Sequence, residues 1–248
     1  MASLPQFDRR RGADRPGIAG VDEAGRGALA GPVVAAAVWL DGGFYADAAC
    51  LRRVRGANDS KQLSADDRAE LRARIESLRA EGKLRLAWAQ GSVVEIAAQN
   101  ILGATRTAMA RCLAELDASA RPLRPFAAAG TEGELFGFAD TRAVLVLVDG
   151  LPLRPFAWAH EAVKQGDGKS LAIALASIVA KVERDRVMEA LDARHPAYGF
   201  ATHKGYGVPE HIEAIRAHGP CPEHRDLFLR KILAGEAPPG DEQGEFEF

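Results

Sequence analysis

Cysteine is scarce in this 248-residue chain. Cys50, Cys112 and Cys221 are odd in number, far apart and outside any C-x-x-C spacing. They point to reduced thiols and away from a disulfide framework or a cysteine zinc site. Long apolar runs are missing too. The longest weakly polar stretch, Ala28 to Leu40, is interrupted by Gly31-Pro32 and is too short to span a bilayer. The N-terminal segment MASLPQFDRRRGADRPG is arginine-rich and has no apolar core of the secretory kind, so a cytoplasmic location is expected. No repeat period is visible, and strong net charge is absent. The formal charge of −2 does not advertise a nucleic-acid partner, yet residues 232–248 hold Glu236, Asp241, Glu242, Glu245 and Glu247 and no Lys or Arg. Removing those five charges takes the net charge from −2 to +3. A mildly positive body with an acidic tail is compatible with a polyanion without requiring one.

What is present fits one large domain, with a 47% hydrophobic content that allows a sizeable core. Residues 1–16 read as a disordered arm, 17–231 as the folded domain, and 232–248 as a disordered acidic tail. Ile18 to Val21 and Pro32 to Leu40 are short, apolar and bounded by glycine, as buried strands are. Ser64 with Asp67 marks a helix start, Leu71, Ile75 and Leu78 share its inner face, and Gly82 stops it. KLRLAWAQ alternates as a strand, and Ile96 to Leu116 reads as a helix. Residues 118–142 lose periodicity and read as an extended loop. AVLVLVD is a strand ending at Asp149, Leu171 to Ala193 a long helix, and Pro209 to His218 a shorter one. Strands alternating with helices give an α/β domain.

Three apolar segments each deliver carboxylates near their end: Asp22 and Glu23 after GIAGV, Asp149 after AVLVLV, and Asp167 before the long helix. Strand ends and the loops beyond them are where α/β folds build sites, although Asp before Gly is also a common turn signal. If the four converge, repulsion limits what they can do. Two like charges about 4 Å apart repel by roughly 1 kcal/mol in water and about 4 kcal/mol at an effective dielectric of 20. Such a cluster must take up protons or hold cations. An all-oxygen set without His or Cys selects Mg²⁺ or Mn²⁺, and two such ions suit displacement at phosphorus. The adjoining Gly25-Arg26-Gly27 would then offer a phosphodiester a close backbone and a cation.

Two rival motifs fail on context. GRGALA fits a G-x-G-x-x-A dinucleotide fingerprint, but it leads into the strand-like Pro32-Val33-Val34 instead of a helix. GKS at 168–170 suggests a phosphate-binding loop, but Val163 stands where the first glycine belongs.

The segments GVDEAGRG…LAGPVVAAAV (20–38), NDSKQLS (58–64), NILGAT (100–105), LVDG (147–150), GDGKSLAIALASIVAKVERDR (166–186), YGFATHKGYG (198–207) and GPCPEHR (219–225) occur in the order found in one family. From about residue 17 to 230 the chain resembles bacterial ribonuclease HII, the type 2 ribonuclease H family. The resemblance implies an RNase H-like fold, a mixed central sheet flanked by helices, with a small C-terminal helical part. It implies endonucleolytic cleavage of RNA in RNA–DNA hybrids with two Mg²⁺ or Mn²⁺ ions, leaving 3′-hydroxyl and 5′-phosphate ends. It further implies incision 5′ of single ribonucleotides embedded in duplex DNA, which begins their excision. By that likeness Asp22 bridges both metals, Glu23 and Asp149 hold the metal at the leaving group, and Asp167 helps hold the nucleophile's metal. Gly25, Arg26 and Gly27 match the segment that reads the ribose 2′-hydroxyl, the group that separates RNA from DNA. Tyr206 matches the tyrosine that packs on the following deoxyribose. Lys61, Lys169, Lys181 and Lys204 are candidate phosphate contacts. A monomer is expected; a sliding clamp is compatible with the resemblance but is not read from the residues. The sixteen residues before the first strand are too few for the extra N-terminal domain of ribonuclease HIII.

The chain departs from the family pattern at Ala28, where proline is usual, at Leu151 in VDGL, and at Gln165, an insertion beside Asp167. Asp226 replaces an expected positive charge, and the 118–142 loop is longer than usual. No departure removes a carboxylate of the quartet. The alternative from another class is a hybrid-binding protein of the same fold with weakened turnover.

Overall fold

The computed structural model describes residues 3–58, 60–119 and 143–233. The expected loop at 118–142 falls outside them apart from Ala118 and Ser119, and the acidic tail falls outside apart from Ile232 and Leu233.

Chain order begins with helix α1 (Leu4–Arg11), followed by the hairpin of β1 (Gly17–Ala24) and β2 (Val33–Asp41). The short helices α2 (Gly42–Ala46) and α3 (Ala48–Arg53) lead to α4 (Ala65–Ala80), β3 (Arg85–Gly91) and α5 (Val93–Ser119). Then come β4 (Leu145–Asp149), β5 (Glu161–Val163) and the long α6 (Leu171–Arg194). The C-terminal helical part is α7 (Phe200–His203), α8 (Pro209–His218) and α9 (Asp226–Leu233).

The five strands form one mixed sheet in the order β3-β2-β1-β4-β5. The β1–β2 and β2–β3 pairs are antiparallel, and β1–β4 and β4–β5 are parallel. Alternation along each strand divides the core between two faces. Ile18, Val38, Leu40, Leu145 and Leu147 pack with Leu71, Ile75 and Leu78 of α4 and Leu171 to Ala180 of α6. Ala19, Val21, Ala35, Ala37, Trp39, Val146 and Val148 pack with Met109, Cys112, Leu113 and Leu116 of α5. Helices therefore cover both faces, as the apolar strands required.

Gly20 explains how closely α6 approaches. A Cβ added there would fall 2.1 Å from the Ala172 carbonyl carbon, so only glycine lets the helix backbone lie on β1.

The N-terminal arm is a correction. Residues 4–11, expected to be disordered, form α1, because Asp8 is buried against the start of α6. Its Oδ2 accepts from Tyr45 Oη at 2.8 Å and from the Ala172 backbone N–H at 3.0 Å. The helix expected from Ile96 to Leu116 spans Val93–Ser119 but is broken at Asn100, with φ 59° and ψ 175°. Asn100 Oδ1 accepts from Gly103 N–H at 3.0 Å and so caps the second half. No helix among the described residues is long and apolar enough to cross a membrane.

Candidate active site

The register of β1 against β4 brings two of the predicted carboxylates side by side. Val21 pairs with Val148, so Asp22 and Asp149 follow one step further along neighbouring parallel strands. Asp22 is 6% exposed, and its Oδ1 accepts from the Glu23 backbone N–H at 2.7 Å. The Ser177 hydroxyl on α6 also donates to it. Ser60 Oγ lies within hydrogen-bond distance of Ser177 Oγ, at 2.9 Å. Burial first, then the charges of Glu23 and Asp149, hold the Asp22 carboxyl well above the usual range.

Asp149 is tied to the start of the next segment: its Oδ1 accepts from Gly166 N–H at 2.6 Å. Asp167 follows in a 3-10 turn, Gly166–Gly168, half-buried, with Oδ1 accepting from Gly168 N–H at 2.9 Å. Gln165, just before this turn, takes a left-handed conformation, φ 55°. Arg26 answers the charge of Glu23, Nη1 to Oε1 at 3.0 Å, on the exposed side of the loop. Among the described residues no three His, Cys, Asp or Glu side chains form a ready metal cage. The donors that do approach one another still fit a hard divalent cation. They are all oxygens, and the buried Asp22 suffers from accumulated negative charge that such an ion would relieve.

The Gly25–Pro32 loop rests on two buried arginines that sequence reading did not single out. Arg184 donates from Nε to Pro32 O at 3.2 Å and from Nη2 to Ala30 O at 3.3 Å. A Cβ at Gly25, where φ is +93°, would come 1.9 Å from Arg184 Nε. The Arg184 guanidinium also lies 5.3 Å from the Tyr206 ring centre. Gly205 O accepts from Leu29 N–H at 2.8 Å and from Ala30 N–H at 3.3 Å. Gly25-Arg26-Gly27 and the half-buried Tyr206 are thus parts of one packed unit. Arg184 had a signal: it is the charged member of the i+4 series Ala176, Ala180, Arg184, Met188, whose other members are all buried and apolar. Ser60, Ser177 and Arg225 had none beyond lying within the recognised segments.

The lysines are more dispersed. Lys204 Nζ pairs with Glu189 Oε1 at 2.7 Å, and Lys181, half-buried along α6, pairs with Asp185 Oδ1 at 2.8 Å. Desolvation pushes the Lys181 amine below its usual range. Exposed Lys169 donates to the Lys164 carbonyl. Lys61 sits in the 3-10 turn Ser60–Gln62, and its side chain lies outside what the structure describes. Asp226 opens α9, where a carboxylate complements the helix dipole.

The family model described as Ribonuclease HII matches residues 19–121 and 156–231. The chain belongs to the ribonuclease HII family. It is 44% identical over 236 residues to ribonuclease HII 2 of Methylibium petroleiphilum, covering 93% of each chain. It is also 44% identical over 210 residues to the ribonuclease HII of Pelotomaculum thermopropionicum, covering 84% of this chain and 66% of that protein. Among solved structures it is similar to the ribonuclease H2 of Pyrococcus horikoshii, with a TM-score of 0.58 and 24% identity over 88% of this chain and 98% of that one. This likeness establishes the RNase H-like α/β fold. As a ribonuclease HII, the chain is a metal-dependent endonuclease of the type 2 ribonuclease H class that hydrolyses the RNA strand of RNA–DNA hybrids.

Proposed function

We propose that this ribonuclease HII also incises 5′ of single ribonucleotides embedded in duplex DNA, beginning their excision, and that Asp22, Glu23, Asp149 and Asp167 carry the chemistry. The observation that supports it best is the Arg184 hub. Recognition of one ribonucleotide needs the ribose-reading backbone at Gly25-Arg26-Gly27 and the deoxyribose-facing Tyr206 at a fixed spacing. Arg184 touches both, and the Gly205 carbonyl stitches them together.

In this reading the four carboxylates would hold two Mg²⁺ or Mn²⁺ ions. Bound there, the ions supply Lewis-acid neutralisation of charge at the phosphodiester and a lowered pKa for water. The protein's own residues do the rest. Asp22 is held rigid by the Glu23 N–H and Ser177, and Asp149 by the Gly166 N–H, so the ligands are preorganised. Backbone groups of Gly25 and Gly27 approach the 2′-hydroxyl without a side chain in the way, and Arg26 faces the backbone of the nucleic acid. Water adds to phosphorus as the bond to the 3′ oxygen breaks, leaving a 3′-hydroxyl and a 5′-phosphate.

The test is incubation with a duplex carrying one ribonucleotide, with and without Mn²⁺, beside an all-DNA duplex and a continuous hybrid. Metal-dependent nicking 5′ of the ribonucleotide is expected, with none on DNA. Cleavage of the hybrid alone would reject the single-ribonucleotide reading. Tight binding of both without cleavage would favour the hybrid-binding alternative.

A further inference from the structure

The C-terminal part buries a pair of histidines that the proposed reaction does not use. His211, on α8, is fully buried, and His224, just before α9, is 3% exposed. Their ring nitrogens Nε2 and Nε2 lie 3.1 Å apart. One ring must donate and the other accept, and the neighbours decide which.

The Cys221 backbone N–H donates to His224 Nδ1 at 2.9 Å. The Cys221 carbonyl, 3.3 Å from the same nitrogen, already accepts the His224 backbone N–H at 3.0 Å. His224 Nδ1 is therefore an acceptor, and in a neutral ring the proton sits on Nε2. That proton points to His211 Nε2, which must be unprotonated. The His211 proton is then on Nδ1, 2.8 Å from the Tyr206 carbonyl oxygen. The bonds form one directed chain: Cys221 N–H to His224, His224 to His211, His211 to Tyr206 C=O.

The same carbonyl accepts from Val208 N–H at 2.9 Å. The preceding residues need such support. Lys204 and Gly205 are both left-handed, φ 52° and 79°, so the turn carrying Tyr206 depends on its hydrogen bonds more than on local backbone preference. His203 stacks on His211, rings 4.4 Å apart, and closes the other side.

We infer that His211 and His224 are positioning residues for Tyr206. They fix its main-chain carbonyl, and thereby the angle at which its ring leaves Arg184 to meet the nucleic acid. The inference rests on the reading of Tyr206 as the side chain that senses the RNA-to-DNA junction.

Two substitutions separate the two ends of the His211 ring. His211→Asn puts an amide nitrogen where Nδ1 stands and keeps the bond to Tyr206; His211→Gln puts an amide where Nε2 stands and loses it. The activity readout is the ratio of kcat/KM on a single-ribonucleotide duplex to kcat/KM on a continuous hybrid. His211→Gln should lower the ratio by about two- to tenfold, the worth of one hydrogen bond, and shift the Tyr206 ring resonances. His211→Asn should recover both toward wild type. An unchanged ratio and unmoved Tyr206 resonances in His211→Gln would overturn the inference. Tyr206→Ala is the control: if it leaves the ratio unchanged, the junction reading fails, while the resonances still decide whether the histidines hold Tyr206. The wild-type protein at pH 8 supplies a measurement that no misfolded variant can spoil. Long-range proton–nitrogen spectra should show His211 as the Nδ1–H tautomer and His224 as the Nε2–H tautomer; the opposite pair would refute the chain.

Discussion

Arg225 Nη1 donates to the main-chain carbonyl of Arg26 at 2.9 Å, joining positions 199 residues apart. Its Nε serves Gly31 O at 2.9 Å, so one buried guanidinium spans both ends of the loop that carries Gly25-Arg26-Gly27. Burial, and then the charge of Arg184, lower its pKa to about 9. Arg225→Lys keeps the charge but not the fork. It should leave one loop carbonyl unsatisfied, destabilise the protein by roughly 1–3 kcal/mol and raise KM more than it lowers kcat. Denaturant melts and steady-state kinetics on a hybrid check this. Unaltered stability and KM would mean the loop holds itself.

Asp22 and Asp149 stand one step beyond the Val21–Val148 pair on neighbouring strands, and the fold should respond to divalent metal. Mn²⁺ at 100 times its dissociation constant should stabilise the protein by roughly 2.7 kcal/mol relative to EDTA. Thermal melts in the two conditions measure it, and identical midpoints would count against metal binding in the apo fold. Asp149→Asn retains an oxygen for Gly166 N–H. It should nearly abolish cleavage and the metal-induced shift while leaving EDTA stability unchanged or slightly raised. A large loss of EDTA stability would mark Asp149 as a turn residue only.

Tyr206 and Lys204 should separate junction sensing from bulk affinity. An aromatic contact to a nucleotide contributes about 1–3 kcal/mol, whereas a lysine–phosphate contact adds salt-dependent affinity that ignores the junction. Tyr206→Ala should reduce incision at a single ribonucleotide far more than cleavage of a long hybrid. Lys204→Ala should weaken both equally and flatten the salt dependence by about one contact. Its pairing with Glu189 makes Glu189→Gln the complementary variant, with tighter binding expected. A salt series on both substrates decides, and equal losses for Tyr206→Ala would reduce it to a packing residue.

Acid should act on the fold through two buried groups of opposite sign. Burial lowers the His211 pKa from 6.5 to about 4. The unfolded chain then binds the extra proton first, and stability present above pH 6.5 is lost as pH falls toward 4, by about 2–3 kcal/mol. Burial raises the Asp8 pKa from 3.8 to about 6. Here the folded state binds the proton first, so its contribution is full below pH 3.8 and lost as pH rises through 6. His211→Asn should therefore flatten the acid limb of a stability–pH curve, and Asp8→Asn should steepen it. Melts from pH 4 to 8 test both; parallel curves for all three proteins would show that neither group titrates as described.

The sequence by itself determined the elements whose causes lie within a few residues. Alternation and β-branched runs located β1 to β4. Ser64 accepts the Asp67 N–H at 3.1 Å as its spacing to the helix predicted, and Gly82 ends the same helix with φ +70°. Pro209 and Gly219 bracket α8 where composition put them. The recognised segments also named the carboxylates. Only the tertiary structure decided what those residues meet. α1 was illegible because its anchor, Asp8, is polar and finds its partner on α6, 164 positions away. The three-residue β5 is too short to show a period, and the break at Asn100 interrupts a pattern that remains apolar on both sides. The approach of Asp22 to Asp149 comes from a parallel register. The Arg184 hub and the Arg225 fork come from segments brought together across most of the chain, and the histidine chain from the folding of residues 206–224 on themselves. Hydrophobic period and capping are local physics and can be read in a window; pairing, register and the direction of a buried hydrogen bond depend on the path of the whole backbone.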